Sequence, residues 1–207
     1  NCYDKDEVYQ KAVETAHKVL EFDVSGILIE EDGKAVVKYS TGPMLKEDER
    51  ISSIENGIVG LSMKTGDSYL IKDKNNFKSV EPKLKGFKSG ITIPIGKRGV
   101  FQAISRNLND FDESDLELAE LLISHVSEAL ERIEGEEELR DKKEKIEKMH
   151  EIAVKIEGGK TADEVYQIAV NAAEEILDFD ICTIDIREGD KLKVKATSSG
   201  APEKFGY

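Results

Sequence analysis

Apolar residues recur at helical spacing in three stretches of the chain. The first predicts an N-terminal helix and comprises Val8, Ala12, Ala16 and Val19, with Val13 and Leu20 beside them. The other two lie in a charged run over 114–157, where steps of three and four predict one long helix with two apolar seams. The seams are Ala119, Leu122, Val126, Ala129, Ile133 and then Leu139, Ile146, Met149, Ala153, Ile156. The seams are out of phase by one residue, and we expect the helix to bend, unwind or change partner at the break between them, Gly135 to Glu138.

Between these helical stretches the pattern changes to short extended segments. The first two are joined at Asp32 and Gly33, a dipeptide typical of hairpin turns. A short helix is predicted after Gly57, with Gly66 as its left-handed cap. Pro94 lacks a backbone N–H and therefore predicts a bulge or a sheet edge. The predicted strands cover 24–29, 35–40, 68–72, 90–95 and 100–105.

The opening part of the chain recurs after the long helix. Residues 6–10 reappear letter for letter as residues 163–167, and the pair Phe22-Asp23 reappears as Phe179-Asp180 at the same offset. The sequence therefore predicts a second copy of the first module, joined to it through the helix at 114–157. The chain does not begin with Met, and we expect it to be an excised fragment.

Composition narrows the classes of function. A chain of 207 residues can hold one domain with a sizeable core and a second element. No apolar run approaches the roughly 20 residues that span a bilayer, so we expect no membrane segment. The formal charge of −13 opposes binding to nucleic acid. Cys2 and Cys182 form neither a disulfide framework nor a metal cluster, and we expect a reducing cytoplasm.

Six short motifs follow one another along the chain: 57–60, Thr65-Gly66, 71–73, 89–95 with Pro94, Gly99-Val100 and Phe111. In this order they resemble the GAF domain family of sensory and regulatory modules. The resemblance covers about residues 4–134, with a partial second copy at about 160–207. It implies an α+β fold, an antiparallel sheet of five or six strands with helices on one face, followed by a long linker helix. The implied domains are a complete GAF domain (1–134), a helical signalling linker (114–157) that overlaps its last helix, and the N-terminal part of a second GAF domain (158–207).

The resemblance also implies a small-molecule pocket on the other face of the sheet. An alternative is that the two phenylalanines among the candidates fill the core while the two polar loop residues cap turns. Neither the ligand nor any cofactor can be named from the sequence. The candidate lining residues are Tyr39, Asp73, Asn76, Phe77, Phe87, Ser89 and Thr92.

We expect a non-catalytic sensory module from a histidine kinase or a related regulator, forming a homodimer through a parallel coiled coil of the linker helix. Cyclic-nucleotide-binding members of the family carry Glu where Leu116 stands here, which leaves that ligand unsupported. The alternatives are a structural dimerisation module without ligand, or a GAF-fold enzyme, redox sensor or photoreceptor that binds haem, bilin or flavin. The cysteine positions argue against this second group. We expect the histidines to be solvated or packing residues rather than phosphoacceptors: His17, His125 and His150.

Overall fold

The computed structural model describes residues 4–42, 50–53, 57–76 and 86–199. The chain divides into two compact units, Asn1–Gly135 and Glu136–Tyr207. The helices are α1 (Lys5–Val19), α2 (Ile58–Thr65), α3 (Glu113–Glu157) and α4 (Ala162–Leu177), and the strands are β1 (Val24–Glu31), β2 (Lys34–Ser40), β3 (Arg50–Ser53), β4 (Tyr69–Ile71), β5 (Ser89–Ile95), β6 (Gly99–Ser105), β7 (Thr183–Glu188) and β8 (Lys191–Thr197).

Six strands of the first unit form one antiparallel sheet in the order β3-β2-β1-β6-β5-β4. The predicted α+β architecture and strand number are therefore confirmed. The sequence pattern did not predict β3, which pairs with β2 at one edge. Pro94 lies past the end of β4, whose pairing with β5 covers only Gly90, Ile91 and Thr92. Among the described strands β5 is thus an edge strand at Pro94, as the missing N–H requires.

Two helices, α1 and the first part of α3, cover one face of this sheet. Asp4 caps α1 by accepting a 2.7 Å hydrogen bond from the N–H of Glu7. The apolar face of α1 is buried as predicted except at Val19, which is 69% exposed at the end of the helix. Phe22 and Phe111 meet edge to face beneath the two helices, with ring centroids 5.3 Å apart. The helix face therefore holds the larger core.

The opposite face carries a second, smaller core under α2. Gly66 ends α2 in the left-handed conformation, as predicted. The sequence predicted this helix, but the resemblance implied helices on one face only, whereas α2 packs on the opposite face. The buried apolar residues of this core are Leu28, Ala35, Val37, Val59, Phe87, Val100 and Ile104. We refer to this side as the α2 face.

Helix α3 is continuous from Glu113 to Glu157. Asp112 and Asp115 form the expected reciprocal cap at its start, since each carboxylate accepts the backbone N–H of the other residue. The helix does not unwind at Gly135, although the boundary between the compact units falls there. The fully buried positions are Ala119, Ile123, Val126, Leu130 and Ile133, with Leu122 and Ala129 partly buried. Because this part of α3 packs on a sheet, it buries a wider apolar stripe than the narrow seam that we predicted.

The second unit repeats the first hairpin in register. In β1–β2 an irregularity falls between Ile27 and Leu28, and in β7–β8 it falls at the equivalent step, between Ile184 and Asp185. The N–H of Ser25 donates to Thr41 Oγ1, and the N–H of Cys182 likewise donates to Ser198 Oγ. Helix α4 occupies the place of α1 in this order of elements. The sequence repeat is therefore also a repeat of local structure.

Candidate functional site

A line of polar and glycine residues crosses the α2 face of the sheet. Five directly paired positions on β2, β1, β6, β5 and β4 lie side by side, because residues opposite each other in an antiparallel ladder point to the same face. We call this set the polar row: Ser40, Gly26, Gln102, Thr92 and Tyr69. The neighbouring positions on this face are mainly apolar.

The centre of the polar row is a buried amide beside a buried hydroxyl. The side chain of Gln102 is 4% exposed and that of Thr92 is 1% exposed. Gln102 Nε2 donates a 3.1 Å hydrogen bond to Thr92 Oγ1, while Gln102 Oε1 has no hydrogen-bond partner among the described residues. Leaving a buried acceptor unsatisfied costs about 1–3 kcal/mol. A bound water or ligand that donates to this oxygen would remove that cost.

The residue opposite Gln102 on β1 is Gly26, so β1 contributes no side chain beside the amide at this position. Gly90, on the same face of β5, likewise lacks a side chain, and a Cβ there would lie 2.8 Å from the carbonyl oxygen of Ala103. Gly26 and Gly90 thus contribute no side chain beside the amide, and at Gly90 the close approach of the β6 backbone leaves no room for one. The arrangement suits recognition of a small polar molecule on an apolar floor.

Two of the predicted pocket residues belong to the α2 face. Thr92 is part of the polar row, and Phe87 is 6% exposed in the adjacent apolar core. Lys74 Nζ lies 5.6 Å from the centroid of the Phe87 ring, a cation–π contact. Phe87 is therefore part of the apolar core on the α2 face. Phe77 lies outside the described residues.

Other predicted pocket residues lie elsewhere. Tyr39 packs against the core on the helix face. Ser89 is fully buried, and its hydroxyl donates a 2.8 Å hydrogen bond to the carbonyl oxygen of Asn107. Asp73 accepts the N–H of Asn75 and so caps the 3-10 turn, at whose exposed end Asn76 lies. The structure does not bring these four side chains together.

The sequence prediction missed Gln102, the residue at the centre of the polar row. A signal was available, because Gln102 is the one polar residue within the run Val100-Phe101-Gln102-Ala103-Ile104. In a strand buried on both faces, such a residue needs a hydrogen-bonding partner. Its actual partner, Thr92, follows only from the register between β5 and β6.

An ion pair joins the turn between β5 and β6 to α3. Arg98 Nε donates to Glu134 Oε1 at 2.9 Å, and Arg98 Nη2 donates to the other carboxylate oxygen. Lys5 Nζ lies 3.7 Å from Glu134 Oε1. The Arg98 hydrogen bonds, with a smaller contribution from Lys5, hold the pKa of the Glu134 carboxyl below its usual range. Burial raises the pKa of Tyr9 beside this pair.

An apolar groove of about 340 Å³ lies within the second unit. Met149, Ile152, Ala153 and Ile156 of α3 form one wall, and α4 forms the other. Three residues of the predicted second seam therefore line this groove. Leu139 and Ile146, earlier in the seam, are 69% and 61% exposed.

The described residues show few other candidates for chemistry. No group of three or more His, Cys, Asp or Glu in the described ranges could hold a metal ion. His125 is exposed beside Glu128, and His17 Nδ1 lies 3.0 Å from the carbonyl oxygen of Phe22. None of the described helices is both long enough and apolar enough to cross a membrane.

Comparison with known proteins shows which family and which solved structures this chain resembles. A family model described as GAF domain matches residues 2–131. No curated protein sequence matches the chain significantly. The similar solved structures include a free methionine-R-sulfoxide reductase from Neisseria meningitidis in complex with its substrate, at 16% identity and TM-score 0.57, covering 65% of this chain and 83% of that chain.

Two signalling proteins are among the other similar structures. Residues 122 to 287 of a methyl-accepting chemotaxis protein align at 20% identity and TM-score 0.54, covering 64% of this chain and 92% of that one. The blue-light absorbing form of the Thermosynechococcus elongatus PixJ GAF-domain aligns at 16% identity and TM-score 0.55, covering 66% and 90%. At these identities the likeness establishes the shared fold.

Proposed function

This chain belongs to the GAF domain family, and we propose that it is a sensory module that binds a small molecule at the polar row and passes the change to α3. Relatives with this fold include sensory and signalling modules. The module itself is non-catalytic in this proposal, although one relative with the fold is an enzyme. The proposed binding site shares Thr92 with the pocket predicted from the sequence, but it centres on Gln102, which that prediction lacked.

The observation that carries the proposal is the double role of the hairpin β5–β6. Its strands bear Thr92 and Gln102 on the α2 face. Its turn bears Arg98, which is bonded to Glu134 of α3. A ligand that shifts the register or twist of the hairpin therefore acts on α3 one residue before Gly135. The continuity of α3 to Glu157 supports passage of that change along the helix.

We infer that residues 158–207 begin a second GAF domain in a longer cytoplasmic regulator, such as a histidine kinase. The equivalent helix caps of Asp4 and Thr161 support the repeat, as does the shared hairpin irregularity. In that arrangement α3 is the last helix of one sensor and leads into the next. The helix would then act as a signalling linker.

A second candidate function is dimerisation without a ligand. The exposure of Leu139 and Ile146, together with Met149 at 57%, favours a partner for α3. Spacings of seven and three residues are those of a two-stranded coiled coil. A homodimer through this seam is compatible with either function, so ligand binding is what separates the two.

Intact mass measurement of gently purified protein tests the ligand. We expect the wild-type protein to carry a small molecule above its chain mass and Gln102→Met to lack it, because methionine fills the same volume without the amide. Gln10→Met is the matched control, since Gln10 is exposed on α1, and it is expected to retain the molecule. Bare wild-type chain, or equal loading of the Gln102 and Gln10 variants, would instead favour a structural dimerisation module.

A further inference from the structure

The polar row has a chemistry that restricts which molecule it can hold. We infer that its ligand is neutral and planar, and presents a hydrogen-bond donor and an acceptor on adjacent atoms, as an amide or lactam edge does. This inference rests on the proposed ligand-binding function and specifies the class of ligand. It follows from the paired groups at Gln102 and Thr92, their apolar surroundings and the nearby ring of Phe87.

The first step is the hydrogen-bonding capacity of the pair. When Gln102 Nε2 donates to Thr92 Oγ1, as observed, Gln102 Oε1 remains as an acceptor, and the second N–H of Nε2 and the Thr92 hydroxyl can donate. When the amide is turned over, Thr92 donates to Oε1, leaving both N–H groups of Nε2 as donors and Oγ1 as an acceptor. Both orientations therefore leave at least one donor and one acceptor. A ligand that pairs with both kinds of group offers an acceptor and a donor.

The second step is charge. Gln102 and Thr92 are both at least nine-tenths buried, and their neighbours on this face include Leu28, Val100 and Ile104. An ion placed there would lose its hydration without gaining an opposite charge, because both polar groups are neutral. Lys74 Nζ, which lies 5.6 Å from the centroid of the Phe87 ring, is a cation that would favour an anion instead. An anionic probe is therefore the rival to test.

The third step is shape. Gly26, the residue opposite Gln102 on β1, contributes no side chain beside the Gln102 amide. Phe87 is buried in the same core and provides an aromatic ring within the apolar floor. Flat ligands gain from contact with aromatic rings and lose little conformational entropy on binding. A planar ring that carries its amide edge toward Gln102 satisfies both conditions.

The experiment titrates three planar probes of similar size into the full chain and follows the side-chain NH2 signals of Gln102 by NMR. 2-Pyridone offers an N–H and a C=O on adjacent atoms, 1-methyl-2-pyridone keeps the C=O but lacks the N–H, and benzoate is anionic. We expect saturable shifts with 2-pyridone, binding weaker by about ten-fold for the methylated ring, and none with benzoate. Gln102→Met assigns the signals, and Thr92→Val should weaken 2-pyridone by a similar factor.

The outcomes separate this inference from the proposed function. If benzoate shifts the Gln102 signals and 2-pyridone does not, the site binds ligands but the neutral class is wrong. Equal binding of the two pyridones would remove the donor requirement and overturn the inference. If none of the probes affects Gln102 and its amide exchanges magnetisation only with a trapped water, the ligand class fails. The ligand site itself also fails when the intact wild-type mass is that of the bare chain.

Discussion

Replacing Gly99 by alanine is expected to destabilise the first unit by about 3 kcal/mol or more, at the upper end of the cost of overpacking. Gly99 opens β6 opposite Ile29 of β1. An added Cβ would overlap the carbonyl oxygen of Leu28 and lie 2.8 Å from the Cα of Ile29. These are backbone atoms of the central strand pair, so the strands must separate. Urea unfolding followed by circular dichroism measures the loss.

Gly135→Ala is the matched control for this substitution. A Cβ at Gly135 meets no atom within 4 Å, and the residue lies in the interior of α3. Alanine there should raise the unfolding free energy by about 0.5–1 kcal/mol, because glycine costs that much in a helix. We therefore expect Gly99→Ala to lower the unfolding free energy and Gly135→Ala to raise it. A neutral Gly99→Ala would mean that the β1–β6 pairing is looser than described.

The double substitution Leu139→Glu with Ile146→Glu is expected to dissociate the proposed homodimer. Both side chains are more than half exposed in the single chain and occupy equivalent seam positions seven residues apart. Burying an aliphatic side chain of this size contributes about 1.5–3 kcal/mol. Losing two per subunit should weaken dimerisation by at least a hundred-fold. Sedimentation velocity over a concentration series measures the change.

Val154→Glu is the control for the dimer. Val154 is 66% exposed on the same helix but lies outside the predicted seam, so this variant should sediment as the wild type does. Two results would contradict the dimer proposal. One is a wild-type protein that remains monomeric at high concentration. The other is a Val154 variant that dissociates as readily as the seam variant, which would indicate a different contact surface.

Local chemistry made much of the fold predictable. The apolar stripe of α1, the Asp32-Gly33 turn and the Gly66 cap each depend on residues close in sequence, and each is found in the structure. The start of α3 is similar, since Asp112 supplies its own cap. Such features follow from periodicity and turn chemistry. The strand number followed from the family resemblance.

The candidate site depends on long-range register and was less predictable. An irregularity in β1–β2 shifts the pairing from Leu28–Val37 to Ile27–Tyr39. One inserted position reverses the side-chain alternation beyond it, which carries Tyr39 to the helix face. Gln102 likewise became recognisable only when β6 was paired with β1 on one side and β5 on the other. No local pattern specifies these pairings.

Hydrogen exchange in α3 tests the central claim most directly, namely that the β5–β6 hairpin acts on this helix through Arg98. At pH 7 Glu134 is ionised and bonded to Arg98. Arg98→Gln should speed hydrogen exchange of the backbone amides at 130–135 by about five-fold, because a factor of this size corresponds to the free energy lost with a partly exposed ion pair. Lys97→Gln, in the same turn but exposed, should leave them unchanged. Equal exchange in the two variants would contradict the coupling.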